Sequence, residues 1–314
     1  MTRHRIAAVT LVGAAAIWLA ACAGGGGGGG GPAPAPAGGG QPGGGQGASG
    51  PATPAQPAPP PSGRVSILTY NVAGLPQGIS GSNPQTNTPL ISPLLNSYEV
   101  VVVQEDFSYH AQLIASARHP HQSPPKPLGS RPVNDGLNQL SSFPFAGLER
   151  VQWRSCYGVF DAASDCLAEK GFSYSRLELA PGVEVDLYNL HAEAGGGLFD
   201  ETARADNYSQ LADFIVTRSA GRPLIVAGDM NLHGLDPVDE PVLQAFLGTT
   251  GLADACRTLG CPTEKIDRVL LRSTPALELR PIQHRIAAEF VDAQGRDLSD
   301  HDAIHVDVEW TVRP

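Results

Sequence analysis

Glu99-Val100-Val101-Val102-Val103-Gln104-Glu105 is the segment from which the architecture follows. Four consecutive valines leave no polar face, so the run reads as a strand covered on both sides. A strand of that kind needs one layer above it and another below. It ends abruptly in an amide and a carboxylate, with Asp106 next. Such an ending delivers polar groups to the rim of a sheet, where ligands bind.

Outward from this strand the pattern repeats. Arg64 to Tyr70 alternates polar and apolar residues as a half-buried strand does. Leu137–Phe145, Glu149–Arg154, Phe172–Leu179, Val183–Leu190, Pro223–Gly228, Ile266–Leu271, Leu277–Ile282 and Ala303–Val312 read as further strands. Tyr109–Ala117 reads as a short helix before a proline-rich loop, His119–Pro132. Glu201–Arg218 is predicted helical because Ala205, Tyr208, Leu211, Ala212 and Ile215 recur at three- and four-residue spacing. Pro237–Leu247 is a further helix. Strands outnumber helices and connections are short, which predicts an α+β fold of two mostly antiparallel sheets packed face to face, helices outside.

The folded body spans residues 64–314, about 250 residues, enough for one full domain. Residues 1–21 read as a secretory signal, with Arg3 and Arg5 ahead of an apolar stretch from Ile6 to Ala21. That stretch falls short of the roughly 20 residues of a membrane span. It closes in Leu19-Ala20-Ala21-Cys22, which resembles the lipobox of bacterial lipoproteins and makes Cys22 the expected lipidation site. Residues 22–63 are almost wholly Gly, Pro, Ala, Gln and Ser, a disordered tether that buries nothing. The expectation is an exported, membrane-anchored lipoprotein whose body is a monomer. Setting Arg3 and Arg5 aside from the 21 basic residues leaves 19 against 31 acidic ones, a net charge near −12. A diffuse field of that sign does not draw in nucleic acid. Four cysteines remain in the body, and the economical pairing is Cys156–Cys166 and Cys256–Cys261. Their spacing matches no zinc motif.

The chemistry sits at strand ends. Glu105 is a candidate ligand for a hard cation, against the plain alternative of a solvated loop carboxylate. Asn71 offers an amide oxygen, or simply closes its own turn. In Gly228-Asp229-Met230-Asn231 the Asp and Asn lie two apart and point to one side of an extended chain. His191 ends one strand, and His301 follows Ser299-Asp300 before the last. A base near neutrality is what hydrolysis of a phosphate ester by water requires. Asp267 is placed to orient His301 from a neighbouring strand.

Taken together, Ile67-Leu68-Thr69-Tyr70-Asn71-Val72-Ala73-Gly74-Leu75-Pro76, Gln104-Glu105, Asn189-Leu190-His191, Gly228-Asp229-Met230-Asn231, Ile266-Asp267 and Ser299-Asp300-His301 resemble the endonuclease/exonuclease/phosphatase superfamily. That group includes DNase I-like nucleases, sphingomyelinases and inositol polyphosphate 5-phosphatases. The resemblance implies a four-layered α/β/β/α sandwich and a Mg²⁺-dependent (or Mn²⁺- or Ca²⁺-dependent) hydrolase of phosphate esters, most simply a phosphodiesterase. It implies Glu105 as principal metal ligand, with Asn71 and Asp300 completing the site. His301 becomes the base held by Asp267, His191 a phosphate contact that protonates the leaving oxygen, and Asp229 with Asn231 the pair that orients water and grips phosphoryl oxygens. Asp135 sits where some relatives place a polar partner. Arg204 reads as solvated. Glu193 departs from relatives that carry Asp or Gln there, which bears on substrate choice.

The start Ala73-Gly74-Leu75-Pro76 leans toward the sphingomyelinase-like branch. Only Trp153 and Trp310 are tryptophans of the body, and no aromatic hairpin is evident. The substrate therefore stays open among lipid headgroups, nucleotides and nucleic acid. The alternatives are a catalytically silent binding module of this fold and a phosphomonoesterase.

Overall fold

The four valines do what their pattern predicts. In the computed structural model, which describes residues 60–159 and 164–314, Val100 and Val102 face one core while Val101 and Val103 face another. The signal, Cys22 and nearly all of the tether lie outside the described residues. In chain order the elements are β1 (Ser62–Asn71), α1 (Pro84–Leu94), β2 (Val100–Gln104), α2 (His110–Ile114), β3 (His121–Gln122), β4 (Asn138–Ser141), β5 (Phe145–Gln152) and β6 (Gly171–Ala180). They continue with β7 (Val183–His191), α3 (Leu198–Arg218), β8 (Leu224–Asp229), α4 (Asp239–Thr250), β9 (Ala253–Asp254), α5 (Ala255–Leu259), β10 (Asp267–Arg272), β11 (Leu277–Ile286) and β12 (Ile304–Val312).

Two six-stranded sheets result, ordered β11-β12-β1-β2-β4-β3 and β5-β6-β7-β8-β10-β9. Each is antiparallel except for one central parallel pair, β1 with β2 and β7 with β8. Three cores separate four layers. Val65, Ile67, Val102, Val185, Leu187, Ile225 and Val306 fill the space between the sheets. Leu68, Tyr70, Val101, Ile91 and Leu113 pack the first sheet against α1 and α2. Phe172, Tyr188, Val226, Tyr208, Leu211 and Ile215 pack the second against α3 and α4. The α/β/β/α sandwich is therefore the consequence of strands whose two faces are both apolar. No helix among the described residues is long and apolar enough to cross a membrane.

Local departures from the sequence reading have local causes. The strand expected over Leu137–Phe145 breaks after Ser141, where Ser141 Oγ accepts the Phe143 N–H and Pro144 brings no donor. The chain restarts as β5. Helix α1 was not anticipated, since Pro89 and Pro93 lie inside it. Pro84 at its first turn is compatible with helix, because an N–H at that position would have no intrahelical partner. Helix α3 starts three residues before the expected Glu201, with the Asp200 carboxylate accepting the Gly197 N–H at 3.0 Å. Both expected disulfides are present, Cys156–Cys166 and Cys256–Cys261.

Strands β7 and β8 approach so closely that a Cβ on Gly228 would sit 2.2 Å from the Leu190 carbonyl oxygen. We expect Gly228→Ala to lower stability by about 1–3 kcal/mol, the usual cost of forcing atoms into a packed interior. Urea unfolding of the variant beside the parent checks this, and an unchanged midpoint would contradict it.

Candidate active site

Parallel strands finish at the same edge, and this fold has two such pairs. Asn71 lies opposite Gln104, with Glu105 one residue beyond, and His191 lies opposite Asp229. Asp267 opens β10 directly across from Asp229. Its neighbour Arg268 is anchored by a fully buried ion pair to Asp254, 2.7 Å. His301 stands in the loop just before β12. Stacking the two sheets then closes these ends onto one another.

The Asn71 amide is at the centre. Its Nδ2 donates to Glu105 Oε1 at 3.1 Å and to Asp229 Oδ2 at 3.0 Å, and lies 3.4 Å from His301 Nε2. Its Oδ1 accepts the Ala73 N–H at 3.0 Å. Donors and acceptors on both sides fix this orientation. In this arrangement Asn71 holds the two carboxylates and turns its oxygen to its own backbone.

His191 Nε2 lies 3.3 Å from Asp229 Oδ2 and 3.9 Å from Glu105 Oε1. Complete burial, with the charges of Lys170 and His301, holds its imidazole neutral by pushing the pKa well down. His301 is the opposite case. Burial works against its charge, but the 2.9 Å bond to Asp267 and the charges of Asp267, Asp229 and Asp300 outweigh it, raising the pKa to about 10. Burial also pushes the Asp267 carboxyl up, with Asp229 adding to the effect and His301 opposing it. Glu105 is raised chiefly by burial, against Lys170 and the Asn71 hydrogen bond.

Three non-glycine residues in the left-handed region belong to this end: Ala73 at φ 48°, Glu105 at 57° and Asn231 at 47°. Gly74 makes the Glu105 turn possible, since a Cβ there would lie 2.3 Å from the Glu105 carbonyl oxygen. Strain of this kind persists only where surrounding contacts enforce it. Asn231 donates through Nδ2 to the Ala192 carbonyl at 3.1 Å, and its backbone N–H donates to Asp229 Oδ1 at 3.1 Å.

Other expected residues sit farther out. Asp300 is exposed, 3.4 Å from Ser299 Oγ and packed against Gly81. Asp135 is buried and spoken for by Arg150 at 2.9 Å. Arg204 corrects the sequence reading: it is buried, not solvated. It clasps Asp239 at 2.8 Å and the carbonyl of Gly195 at 2.8 Å, tying the loop after His191 to the start of α4. Lys170 was missed. It is a buried cation paired with Asp165, and its charge reaches Glu105, His191 and Glu193. A lysine beside the apolar start of β6 was the available signal.

The chain is 38% identical over 265 residues to a sphingomyelinase of Mycobacterium tuberculosis, an alignment covering 76% of this chain and 51% of that protein. The chain thus spans about half the length of the curated relatives it matches. The fold matches an endonuclease/exonuclease/phosphatase from Beutenbergia cavernae at TM-score 0.56 and 18% identity, covering 79% of this chain and 72% of that one. It also matches a beta toxin from Staphylococcus aureus with bound magnesium ions at TM-score 0.56 and 16% identity, covering 80% and 100%. The chain has the fold of the endonuclease/exonuclease/phosphatase neighbour. No family model matches it.

The donor chemistry here fits a hard divalent cation. Ligand atoms of Asp229, Asp267 and His301 all lie within 4.8 Å of one another, with Glu105 and Asp300 outside that group. Buried Asp267 Oδ1 and His191 Nδ1 have no hydrogen-bond partner. Carboxylates concentrated in low dielectric are costly unless a cation compensates them.

Glu193 completes the picture behind the site. It is fully buried, with Oε1 accepting the Tyr157 N–H at 2.6 Å and Oε2 unpartnered. Burial, reinforced by Asp165, raises its carboxyl from 4.5 to about 8. Between those values the unfolded chain has lost a proton that the folded chain keeps, so this group makes stability fall as pH rises. Above about 8 both states are ionised and the penalty stays constant. We expect Glu193→Gln to flatten the fall between pH 5 and 8, read from urea midpoints across that range. A pH-independent difference from the parent would show that Glu193 is ionised in the fold.

Proposed function

We propose that this domain is a divalent-metal-dependent phosphodiesterase that cleaves its substrate by direct attack of water. The observation that carries the reading is the convergence of Glu105, Asp229 and His301 on the Asn71 amide, with His191 against Asp229 and Asp267 behind His301. Magnesium bound in the beta toxin structure supports Mg²⁺ as the ion. Glu105 and the neighbouring carboxylates would hold it, with Asp300 joining from the rim. The cation supplies charge that polarises the phosphoryl oxygens, offsets negative charge developing on them and lowers the proton affinity of His301.

The chain's own groups do the rest. Asp267 holds His301 Nδ1, so Nε2 faces the site and takes the proton from water once the imidazole is neutral. Asp229 Oδ2, 3.8 Å from His301 Nε2, orients that water. Asn231 and neutral His191 donate hydrogen bonds to phosphoryl oxygens. His191 stabilises charge on the leaving oxygen as a hydrogen-bond donor, because burial denies it the extra proton of an acid.

The sphingomyelinase names of the relatives support a phosphodiester of a lipid headgroup, such as sphingomyelin, as the substrate class. The two disulfides and the sequence of residues 1–63 support an exported body tethered by lipid at Cys22.

With bis-p-nitrophenyl phosphate, turnover should appear with Mg²⁺, Mn²⁺ or Ca²⁺ and vanish with EDTA. Absence with all three ions would leave the silent binding module as the better description. His301→Ala should lower kcat by about 10²–10⁴ while circular dichroism is unchanged, and an unaltered rate would remove His301 from proton transfer. Sphingomyelin, plasmid DNA and a phosphomonoester assayed side by side test the substrate class, and a preference for DNA or the monoester would overturn the lipid assignment.

A further inference from the structure

Among the described residues, only two groups of three or more acidic, histidine or cysteine donors come within 4.8 Å of one another. One is the site above. The other is Cys256, Cys261 and His284, which belongs to neither the active site nor any zinc motif legible in the sequence. We propose that reducing the Cys256–Cys261 disulfide opens a Cys₂His site for a thiophilic divalent cation, zinc being the natural occupant.

Three observations carry it. The cysteines are held together by more than their covalent bond. Asp254 Oδ1 accepts the Cys256 N–H at 2.8 Å, the Cys261 N–H donates to the Cys256 carbonyl at 2.9 Å, and Gly260 makes the turn between them at φ 64°. With Cα atoms 5.0 Å apart and a sequence separation of 5, the pair stays assembled when the sulfurs separate. The third donor arrives from elsewhere: His284 pairs with Val306 at the edge of the first sheet, while Cys256 lies in α5 and Cys261 just after it. Finally, Cys261 and His284 are partly exposed, so a small thiol and an ion can reach the sulfurs.

The chemistry balances. Two molecules of a low-molecular-weight thiol together give two protons and two electrons. The Cys256–Cys261 bond breaks to two thiols, and the reductant leaves as its own disulfide. Zinc then displaces both thiol protons to water and is held by two thiolates and neutral imidazole, with water in the fourth position, a net charge of zero over the ligand set. Thiolate sulfur separates this site from the oxygen-rich one, which prefers a hard ion.

The full chain is reduced with a phosphine, freed of excess reductant and titrated anaerobically with Co²⁺. The expected result is one equivalent giving thiolate-to-cobalt charge-transfer absorption and intense tetrahedral d–d bands, both erased by Zn²⁺ and absent from the oxidised protein. Cys256→Ser/Cys261→Ser should abolish the bands, and Cys156→Ser/Cys166→Ser should keep them. His284→Ala should weaken binding by about tenfold or more, with His284→Gln measured alongside in case the alanine variant fails to fold. Phosphodiesterase turnover is followed separately, so loss of activity and loss of the sulfur-bound ion are distinct outcomes. A folded, reduced chain without thiolate–cobalt absorption would overturn the proposal, as would bands that ignore His284 or follow Cys156 and Cys166.

Discussion

Gln104 and Asn189 join the two sheets one layer below the site. Gln104 Nε2 donates to Asn189 Oδ1 at 2.7 Å, and Asn189 Nδ2 donates to the Val103 carbonyl at 2.9 Å. Both side chains are almost wholly buried. A hydrogen bond of this kind contributes about 0.5–1.5 kcal/mol net, whereas an unpartnered buried amide costs about 1–3 kcal/mol. Apolar packing between sheets is non-directional and tolerates sliding. A buried amide pair does not, because any slip leaves donors and acceptors unmatched. The sheets are thus fixed relative to one another by polar groups at the end where Asn71 must meet Asp229.

That fixed relation explains the electrostatics above it. Asp229 and Asp267 are adjacent across β8 and β10, buried, and close enough to repel. His301 and the Asn71 amide are the compensation supplied from the first sheet. The same crowding of carboxylates raises the proton affinity of His301 and calls for a divalent ion. A site of this kind is a concentration of unfavourable charge held in place by the rest of the domain. Arg204 with Asp239, Arg268 with Asp254 and Lys170 with Asp165 are the buried ion pairs around it. They fasten the loops and strand from which the functional groups project.

Several of these supports escaped the sequence reading for one reason. Arg204 on a helix has the same local pattern whether it faces water or a buried aspartate. Asp239 lies 35 positions later, and only the packing of α3 on α4 makes them partners. Helix α1 escaped because its prolines argue against a helix, and tertiary contacts of Ile91 with the first sheet outweigh that preference. The short connection Ser141 to Phe145 was read through because nothing in the apolar pattern distinguishes a bent strand from two strands.

By itself the sequence determined the longer strands, all but the two-residue β3 and β9, and which polar residues stand at their ends. Period-two alternation and the four-valine run are local, and burial of apolar area follows from them directly. The joint pattern of motifs also carried the fold, and the cysteine spacing carried both disulfide pairings. Only tertiary structure decided that Asn71 turns its nitrogen to the carboxylates, that burial pushes the His191 pKa down while Asp267 and its neighbours push that of His301 up, and that His284 lies against Cys256 and Cys261. Hydrogen-bond direction and proton affinity depend on distances between groups remote in the chain and on how much water reaches them, and no local pattern encodes either quantity.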